Sequence, residues 1–420
     1  MFANQIFRYL YDLLFTKSIT LMKKFILFIS LSFVLFGCKD TEKTQKHIPQ
    51  EVKEISDGIR LKFIPDKRVG IFDVDYSTDG NLLLVKGVTD SPEAKEALLN
   101  ELGKTDYRVT DSLRVIPDAM ELNGKTYGVV NLSVCNLRSN ADFSSEMATQ
   151  GLLGMPVKVL QHSGWYRIQT PDNYIAWVHR AGIYPMTEAE YCAWNKSEKV
   201  IVTSHYGFAY SRPDLNSQTV SDVVSGNRFK YEGSQGNFYK VSYPDGKTAY
   251  LPKSMAKTEK EWRSSLRQDA GDVLQTAYTL LGVPYLWAGT SAKGMDCSGY
   301  VRTVLFLHDI IIPRDASQQA YVGEHIDILP DFSNLLPGDL LFFGRKATAD
   351  QKERVVHVGF YIGNKKFIHS QGDVRINSFN SADPEYDEYN LNRLLFATRI
   401  LDAIGTDKIE TTLTNSYYQP

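Results

Sequence analysis

The apolar positions that follow Gly294 repeat with the period of a helix. They fall at i, i+3, i+4 and i+7, at Val301, Val304, Leu305 and His308. This spacing predicts an amphipathic α-helix with one buried face. Gly294 breaks the chain before the helix, and Asp296 is a residue type that commonly caps a helix N-terminus. The pattern therefore places Cys297 in the first helical turn.

Three further segments have helical patterns. Residues 268–281 carry a single apolar stripe, which predicts a helix that ends at Gly282. Ser91 in the N-cap position, followed by Pro92, predicts a helix that continues to residue 102. Residues 187–195 are compatible with a short helix between two β-rich regions.

The period changes from helical to alternating in the last third of the chain. Strand-like runs lie near residues 338–343, 354–362, 366–370 and 394–400. Helices followed by an antiparallel sheet predict an α+β domain over residues 265–402.

Two histidines lie in neighbouring strands of this sheet. Gly363 and Asn364 indicate a turn between the strands of His357 and His369. A two-residue loop would pair His357 with Ser370 and put the histidines on opposite faces. A three-residue loop with a bulge would set His357 directly across from His369. We predict the second geometry, with both rings on one face.

The region before this domain divides into smaller units. Residues 125–185 and, more loosely, residues 196–256 contain short alternating runs separated by turn residues, which predicts two small β-barrels. Residues 54–124 predict a small α/β unit without evident chemistry, for which a structural or spacer role is expected. Residues 403–420 form a C-terminal tail.

The first 37 residues have the pattern of a targeting signal. A positive segment at Met22 precedes an apolar run that is too short for a comfortable transmembrane helix. The run ends in a sequence similar to a bacterial lipobox, so Cys38 is the expected lipidation site and residues 38–53 are the tether. Plain secretion or an anchoring helix are the alternatives, and Met22 is a more natural start than Met1. We expect a cell-envelope lipoprotein, periplasmic or attached to the outer membrane.

Composition and charge narrow the function classes. The chain is 43% hydrophobic and 23% charged, with a net charge of −2 and no basic stripe. These values indicate a globular protein, and argue against nucleic-acid binding and electrostatic adhesion to anionic membranes. No motif typical of a metal site is present, so we expect no cofactor. We also expect a monomer.

Cys297 is the candidate nucleophile. Unpaired backbone N–H groups and the helix dipole favour a thiolate at a helix N-terminus. The alternative is a buried cysteine that packs as a small hydrophobic residue. His357 and His369 favour the first interpretation, with His357 as the base and His369 fixing its tautomer. A zinc site formed by these three residues would need a fourth ligand or a water molecule.

Two cysteines remain after Cys38 and Cys297 are assigned. Cys135 and Cys192 could pair in principle, but their spacing does not require it. Cys135 lies in a strand-like run, and we expect it to be a buried free thiol.

Six short motifs occur in the order found in the NlpC-type cell-wall cysteine peptidases. They are Tyr285-x-Trp287-x-Gly289, Asp296-Cys297-Ser298-Gly299, Pro313-Arg314-Asp315, Pro337-Gly338-Asp339, His357-Val358-Gly359 and Ile368-His369-Ser370. The resemblance covers about residues 265–402. It implies a papain-like fold and hydrolysis of an amide in peptidoglycan stem peptides. Ala288 stands where the family commonly has glycine, a departure that we expect to matter little.

The barrels extend the resemblance. Two SH3-like barrels before an NlpC-type domain are similar to the γ-D-glutamyl-L-diamino-acid endopeptidases, which accept stem peptides with a free N-terminal L-Ala. This resemblance implies that Glu146 and Tyr174 of the first barrel close the substrate pocket. It also implies substrate contacts from Tyr285 and Ser298. Asp296 could bind the substrate ammonium by a charge-assisted hydrogen bond.

Simpler roles and other functions remain possible at this stage. Asp296 could only cap the helix, Tyr285 could be a core aromatic residue, and Asp315 and Asp339 are expected to cap turns. An N-acetylmuramoyl-L-alanine amidase or a D,L-endopeptidase would act on intact wall. A non-catalytic wall-binding lipoprotein would bind through its barrels and would not need Cys297.

Overall fold

A computed structural model of the protein describes residues 48–406 and 408–420. The predicted signal sequence, Cys38 and most of the tether lie outside the described residues. No helix in the part of the chain that the structure describes is long and apolar enough to cross a membrane.

The N-terminal unit is a three-stranded sheet with two helices. In chain order its elements are α1 (Gln50–Phe63), β1 (Phe72–Asp79), β2 (Leu82–Thr89), α2 (Pro92–Leu102) and β3 (Arg108–Val115). The strand pair β1–β2 is antiparallel, and β2 and β3 are parallel because α2 crosses between them. The Ser91 hydroxyl accepts the Ala94 N–H at 3.0 Å, which confirms the predicted helix cap.

The first barrel contains seven strands in the order β10-β4-β7-β8-β9-β5-β6. They are β4 (Tyr127–Val130), β5 (Val134–Arg138), β6 (Met147–Leu152), β7 (Pro156–His162), β8 (Trp165–Gln169), β9 (Ile175–His179) and β10 (Ile183–Met186). Helix α3 (Glu188–Lys196) follows, which confirms the short helix predicted over residues 187–195, and Thr187 is its N-cap.

The second barrel repeats this architecture in the order β13-β12-β16-β15-β14-β11-β17. Its strands are β11 (Lys199–Val202), β12 (Tyr206–Tyr210), β13 (Thr219–Val224), β14 (Arg228–Gln235), β15 (Phe238–Ser242), β16 (Thr248–Pro252) and β17 (Ala256–Thr258). Helix α4 (Glu259–Ser265) leads out of it. Cys135 and Cys192 are both free thiols, and Cys135 is buried as predicted.

The C-terminal domain places helices before an antiparallel sheet, which confirms the α+β prediction. Its helices are α5 (Ala270–Tyr278), α6 (Cys297–Phe306), α7 (Ala316–Gln319) and α8 (Glu388–Asn392), with a 3₁₀ turn at Leu401–Ala403. Its strands are β18 (Thr290–Ser291), β19 (Gly294–Met295), β20 (Glu324–Ile326), β21 (Leu340–Arg345), β22 (Arg354–Gly363), β23 (Lys366–Gln371), β24 (Asp373–Ser378) and β25 (Leu394–Arg399). The main sheet has the order β20-β25-β21-β22-β23-β24.

Helix α6 is more deeply buried than its sequence pattern predicts. Every residue from Cys297 to Leu305 is buried, not only the apolar face. The polar side faces the first barrel, where Asp172 forms an ion pair with Arg302, with 2.9 Å between Oδ2 and Nε. The expectation of a half-exposed helix was wrong because the periodicity of one element carries no information about a neighbouring module.

The hairpin of the two histidines differs from the predicted one. Its loop is the two-residue turn Asn364-Lys365, and a bulge at Ile362 shifts the register. Phe360 therefore pairs with Ile368, so His357 and His369 are diagonal neighbours and do not lie directly opposite each other. The predicted three-residue loop was wrong. The prediction that both rings share one face is confirmed. The bulge adds one residue to β22, and this brings His357 to the sheet face that carries His369.

Candidate active site

Cys297 is the first residue of helix α6. The Asp296 carboxylate caps this helix by accepting the Gly299 N–H at 2.6 Å, as the sequence predicts. The Cys297 side chain is 7% exposed and lines a cavity of about 400 Å³. A sulfur in this position is shielded from bulk water but open to a bound ligand.

The resting sulfur is a thiol. Burial and the nearby Asp296 carboxylate raise the pKa of Cys297 to about 12, although the N–H of Val358 acts in the opposite direction. The expectation that the helix N-terminus yields a thiolate in the free protein was wrong. The loss of hydration outweighs the helix dipole when the sulfur is buried. Ionisation of Cys297 therefore needs a base.

The two histidines form a hydrogen-bonded chain. His357 Nε2 lies 2.7 Å from His369 Nδ1, and His369 Nε2 lies 2.8 Å from Asn377 Oδ1. Burial lowers the pKa of His357 well below its ordinary value, and lowers the pKa of His369 to about 4. Both rings are therefore neutral near pH 7.

Asn377 decides which nitrogen of each ring carries the proton. Its Nδ2 donates to the Glu385 carbonyl oxygen at 3.3 Å, so Oδ1 is the acceptor that faces His369. His369 then donates from Nε2 and accepts at Nδ1 from the Nε2–H of His357. The basic lone pair of His357 is left on Nδ1, next to the Val358 peptide whose N–H points at the Cys297 sulfur.

Two polar residues of this arrangement were missed by the sequence analysis. Asn377 lies on β24, a strand that was not predicted. Arg393 lies just before β25, and its charge contributes to lowering the pKa of His357. Its guanidinium stacks on Tyr389, 4.5 Å from the ring centroid. Neither residue belongs to a motif, so only the fold reveals their position.

The cavity next to Cys297 is built by three parts of the chain: the N-terminal unit, the first barrel and the C-terminal domain. It is lined by Arg68, Ser139, Glu146, Met147, Ala148, Tyr174, Tyr285, Trp287, Ala288, Asp296, Cys297, Ser298, Asp315, Ala316, Ser317, Arg354, Val355 and Val356. All five substrate contacts predicted from the resemblance, namely Glu146, Tyr174, Tyr285, Asp296 and Ser298, are in this set. Burial and the neighbouring Cys297 raise the pKa of Tyr285, which keeps its hydroxyl protonated as a hydrogen-bond donor.

Asp296 has a partner that the sequence did not reveal. Arg314, 1% exposed, binds both carboxylate oxygens of Asp296 at 2.7 and 3.2 Å. Arg314 also donates to the Ser298 hydroxyl at 2.9 Å. The Ala288 N–H also donates a hydrogen bond to the Asp296 carboxylate at 2.9 Å. The expectation that Asp296 meets a substrate ammonium therefore does not fit, because its charge is already balanced inside the protein.

Another carboxylate faces the cavity instead. Asp315, expected only to cap a turn, accepts hydrogen bonds from Arg68 at 2.8 Å and from the Tyr174 hydroxyl at 3.4 Å. Glu146 approaches from the first barrel and accepts the indole N–H of Trp287 at 2.8 Å. Asp339, in contrast, has the expected structural role, since it accepts the Leu336 N–H at 2.8 Å and pairs with Arg399. Asp315 and Glu146 thus give one end of the cavity a negative character.

Among the described residues there is no cluster of three or more His, Cys, Asp or Glu side chains that could hold a metal ion.

Comparison with known proteins agrees with this arrangement. The NlpC/P60 family profile matches residues 282–392. The bacterial dipeptidyl-peptidase Sh3 domain matches residues 137–183, and the bacterial SH3 domain matches residues 207–256. A γ-D-glutamyl-L-lysine dipeptidyl-peptidase of Bacillus cereus is 31% identical over 237 residues, which cover 54% of this chain and 68% of the relative. The chain belongs to the NlpC/P60 family.

Other relatives give the same assignment. A γ-D-glutamyl-L-lysine dipeptidyl-peptidase of Bacillus subtilis is 34% identical over 236 residues, covering 53% of this chain and 71% of the relative. The crystal structure of an NlpC/P60 protein from Bacillus cereus shares the fold, with a TM-score of 0.56, 24% identity, and coverage of 66% of this chain and 99% of the other. This NlpC/P60 protein is therefore a cysteine peptidase with two SH3 domains before its catalytic domain.

Proposed function

We propose that the protein hydrolyses the amide between γ-D-Glu and a diamino acid in peptidoglycan stem peptides that carry a free N-terminal L-Ala. The observation that carries this proposal is the cavity beside Cys297, which is lined by Glu146 and Asp315 in addition to Asp296, the carboxylate that Arg314 already neutralises. A short peptide with a terminal ammonium matches that charge. The relatives named γ-D-glutamyl-L-lysine dipeptidyl-peptidases support the same bond.

In the proposed reaction, His357 Nδ1 takes the proton of Cys297 as the sulfur attacks the γ-carbonyl carbon of D-Glu. The backbone N–H of Cys297 and the Tyr285 hydroxyl are placed to stabilise the oxyanion. His369 accepts the Nε2–H of His357, and keeps the imidazolium oriented.

The carbon–nitrogen bond then breaks, and the leaving amine takes the proton from His357 Nδ1. A water molecule attacks the thioester, giving its proton to the same nitrogen. The carbon–sulfur bond breaks, the dipeptide acid leaves, and Cys297 regains its proton. The free protein returns to a neutral thiol and imidazole, in agreement with their shifted pKa values.

Selectivity for the free amine has an electrostatic basis. An ammonium group placed near Glu146 and Asp315 would form charge-assisted hydrogen bonds in a water-poor cavity. Arg68 is shared between Asp66 and Asp315, so one negative charge of this group stays uncompensated. An N-acetylated or glycan-attached peptide would bring no positive charge to balance it or Glu146. Substrates released from the wall should therefore be preferred over intact sacculi.

Mass spectrometry of the products from L-Ala-γ-D-Glu-diamino acid peptides tests the proposal. With the free tripeptide we expect L-Ala-γ-D-Glu and the free diamino acid. The N-acetylated tripeptide should be cleaved roughly 100-fold more slowly, because it cannot form the charge-assisted hydrogen bonds of the ammonium with Glu146 and Asp315. Equal rates on both peptides, or release of stem peptides from whole sacculi, would favour an amidase or an endopeptidase of intact wall.

The role of Cys297 is tested by substitution. Cys297→Ala should lower kcat/KM by roughly 10⁴-fold or more and leave the thermal melt nearly unchanged. Cys192→Ala is the matched control, since this free and half-buried thiol does not line the cavity. Retained turnover in Cys297→Ala would remove this residue from its proposed role.

We further propose that the protein is anchored in the cell envelope through a lipid on Cys38. The lipobox-like sequence before Cys38 supports this location. Labelling of cells with a radioactive fatty acid should mark the native protein and not Cys38→Ala, which should leave the membrane fraction. Equal labelling of both proteins would contradict the proposal.

A further inference from the structure

One loop of the N-terminal unit reaches the catalytic cavity. This loop spans residues 65–69, between α1 and β1, and the side chain of Arg68 lines the cavity together with Tyr174 and Asp315. The sequence indicated no chemistry in this unit, and the matches to family profiles begin only at residue 137. The cavity thus contains a charged group from outside the region that defines the family.

The guanidinium of Arg68 connects two acidic residues. Its NH1 donates to Asp315 Oδ2 and to the Ser317 hydroxyl, both at 2.8 Å. Its Nε and NH2 bind the two carboxylate oxygens of Asp66, again at 2.8 Å. Bidentate arginine–carboxylate pairs have a fixed geometry, so Asp66 holds Arg68 in one orientation. Arg68 in turn holds one oxygen of Asp315.

The same loop is attached to both neighbouring modules, to the first barrel through its backbone and to the catalytic domain through the Asp66 side chain. The Arg68 carbonyl oxygen accepts the N–H of Ile175 at 2.7 Å, directly after Tyr174. Gln318 donates from Nε2 to Asp66 Oδ2 at 2.9 Å. The loop therefore joins the Tyr174 segment of the first barrel to the start of helix α7 in the catalytic domain.

An apolar contact supports this arrangement. The side chains at the interface of the N-terminal unit and the first barrel form one buried cluster of Ile71, Val88, Ile116, Leu160 and Ile175. Burial of such a cluster is worth several kcal/mol by area alone. This cluster holds the N-terminal unit against the first barrel, so that Arg68 keeps a constant position.

We propose that the N-terminal unit forms part of the substrate site, and that Arg68 is a positioning residue for recognition of the substrate amino group. It orients the Asp315 carboxylate and, through its backbone, the segment of Tyr174. The inference rests on the proposed function, since it assigns the amine of the stem peptide to this end of the cavity. A unit that the sequence describes as a spacer would then determine substrate affinity.

The physical reason is preorganisation. A carboxylate that is free to rotate loses entropy when it binds an ammonium, whereas Asp315 is already held by Arg68. Substitution of the Arg68 side chain frees the Asp315 carboxylate but keeps the backbone hydrogen bond between residue 68 and Ile175, so the change is confined to Asp315. Because these groups bind the amino end and not the scissile amide, affinity should change more than the rate of the chemical step.

The test compares Arg68→Gln with Arg167→Gln. Arg167 of the first barrel forms an ion pair with Asp73 of the N-terminal unit at 2.6 Å, but does not line the cavity. In Arg68→Gln, KM for the free tripeptide should rise about 10-fold while kcat stays within about 2-fold. Arg167→Gln should leave both constants close to those of the native protein.

A binding measurement removes turnover from the comparison. In the Cys297→Ala background, calorimetry with the dipeptide L-Ala-γ-D-Glu should show an affinity about 10-fold weaker after Arg68→Gln. Arg68→Lys keeps the charge but loses the bidentate geometry. Its affinity for the dipeptide should lie between that of Cys297→Ala alone and that of the Arg68→Gln double variant. Thermal melts identify any variant that fails to fold. In that case Asp66→Asn replaces it, since this change removes the charge that orients Arg68 and keeps an amide oxygen as an acceptor for Gln318.

The two proposals can fail separately. The ratio of rates on free and N-acetylated tripeptide in the native protein judges the proposed function. The difference in KM between the Arg68 and Arg167 variants tests the role of Arg68. It can be measured on whichever of the two peptides the native protein cleaves. Unchanged KM in Arg68→Gln, or an equal loss in both variants, would return the N-terminal unit to a purely structural role.

Discussion

Ala288 adopts a backbone conformation that suits glycine better. Its φ is 61°, in the left-handed region, and its N–H donates to Asp296 at 2.9 Å. The sequence analysis expected alanine here to matter little. The structure indicates a cost, because a β-carbon in the left-handed region is disfavoured by about 1 kcal/mol or more. The contact with Asp296 keeps the residue there.

Ala288→Gly should therefore raise the free energy of unfolding by about 1 kcal/mol in urea titrations, because the strain of the left-handed conformation is removed. Ala277→Gly, in the middle of helix α5, is the matched control and should lower the free energy of unfolding by about 1 kcal/mol. A loss of stability in both variants would show that Ala288 is not strained.

His357 sets the acidic limit of activity. Burial, His369 and Arg393 all lower its pKa, so the neutral base persists below the ordinary histidine pKa of 6.5. As pH falls, kcat/KM should stay constant through pH 6.5 and decline only when His357 becomes protonated. No decline from Cys297 is expected on the alkaline side until near pH 12, since its thiol pKa is raised to about that value.

The contribution of Arg393 to this limit can be measured. Arg393→Gln removes a cation that opposes protonation of His357, so the pKa of His357 should rise and the acidic limb of kcat/KM should move to higher pH. Arg345→Gln changes an exposed arginine on β21 and should leave the profile in place. If the acidic limb of kcat/KM in Arg393→Gln moves to lower pH or does not move, Arg393 does not affect the pKa of His357.

At the scale of elements, the N-terminus of helix α6 depends on one buried ion pair. Asp296 caps the helix and neutralises Arg314, which is 1% exposed. Asp296→Asn keeps a capping side chain but leaves the arginine charge buried without a partner. We expect the free energy of unfolding to fall by about 3 kcal/mol, as measured by denaturant titration.

The same variant separates two roles for Asp296. If Asp296 acts through the helix and Arg314, activity should decrease by the same factor on free and N-acetylated tripeptides. A selective loss on the free amine would restore Asp296 as an ammonium ligand. Asp269→Asn is the control, because Asp269 caps helix α5 without an ion pair and should change stability by less than about 0.5 kcal/mol.

The elements also show where sequence reasoning succeeds and where it stops. The caps at Ser91 and Asp296 were predicted because a cap depends on residues within one turn. The loop between β22 and β23 was not predicted correctly, because the bulge at Ile362 depends on pairing with the neighbouring strand. Strand β24, which carries Asn377, was missed although polar and apolar residues alternate from Asp373 to Asn377.

At the scale of the whole molecule, the C-terminal segment connects the catalytic domain to the first barrel. Asn415, 2% exposed, donates to the Pro171 carbonyl oxygen at 2.9 Å and to Glu410 at 2.7 Å. The Tyr417 hydroxyl donates to Gln169 at 2.8 Å. The tail thus binds the end of the barrel whose Asp172 pairs with helix α6.

Asn415→Ala should lower the free energy of unfolding by about 2 kcal/mol, since it leaves buried backbone groups without partners. Asn380→Ala, at an exposed turn, is the control and should change it by less than about 0.5 kcal/mol. Differential scanning calorimetry measures both variants. Equal and small effects would mean that the tail contributes little to the assembly of the modules.

The sequence alone determined the modules, the helix that begins at Cys297, and the pair of histidines on one sheet face. These features depend on local periodicity, capping and short motifs, and each of these involves residues that lie close together in the sequence. The tertiary structure decided that Asp296 is neutralised by Arg314, that Asp315 faces the cavity, and that Arg68 arrives there from the N-terminal unit. It also decided the direction of the pKa shifts, because burial and charge pairing arise from residues that are far apart along the chain.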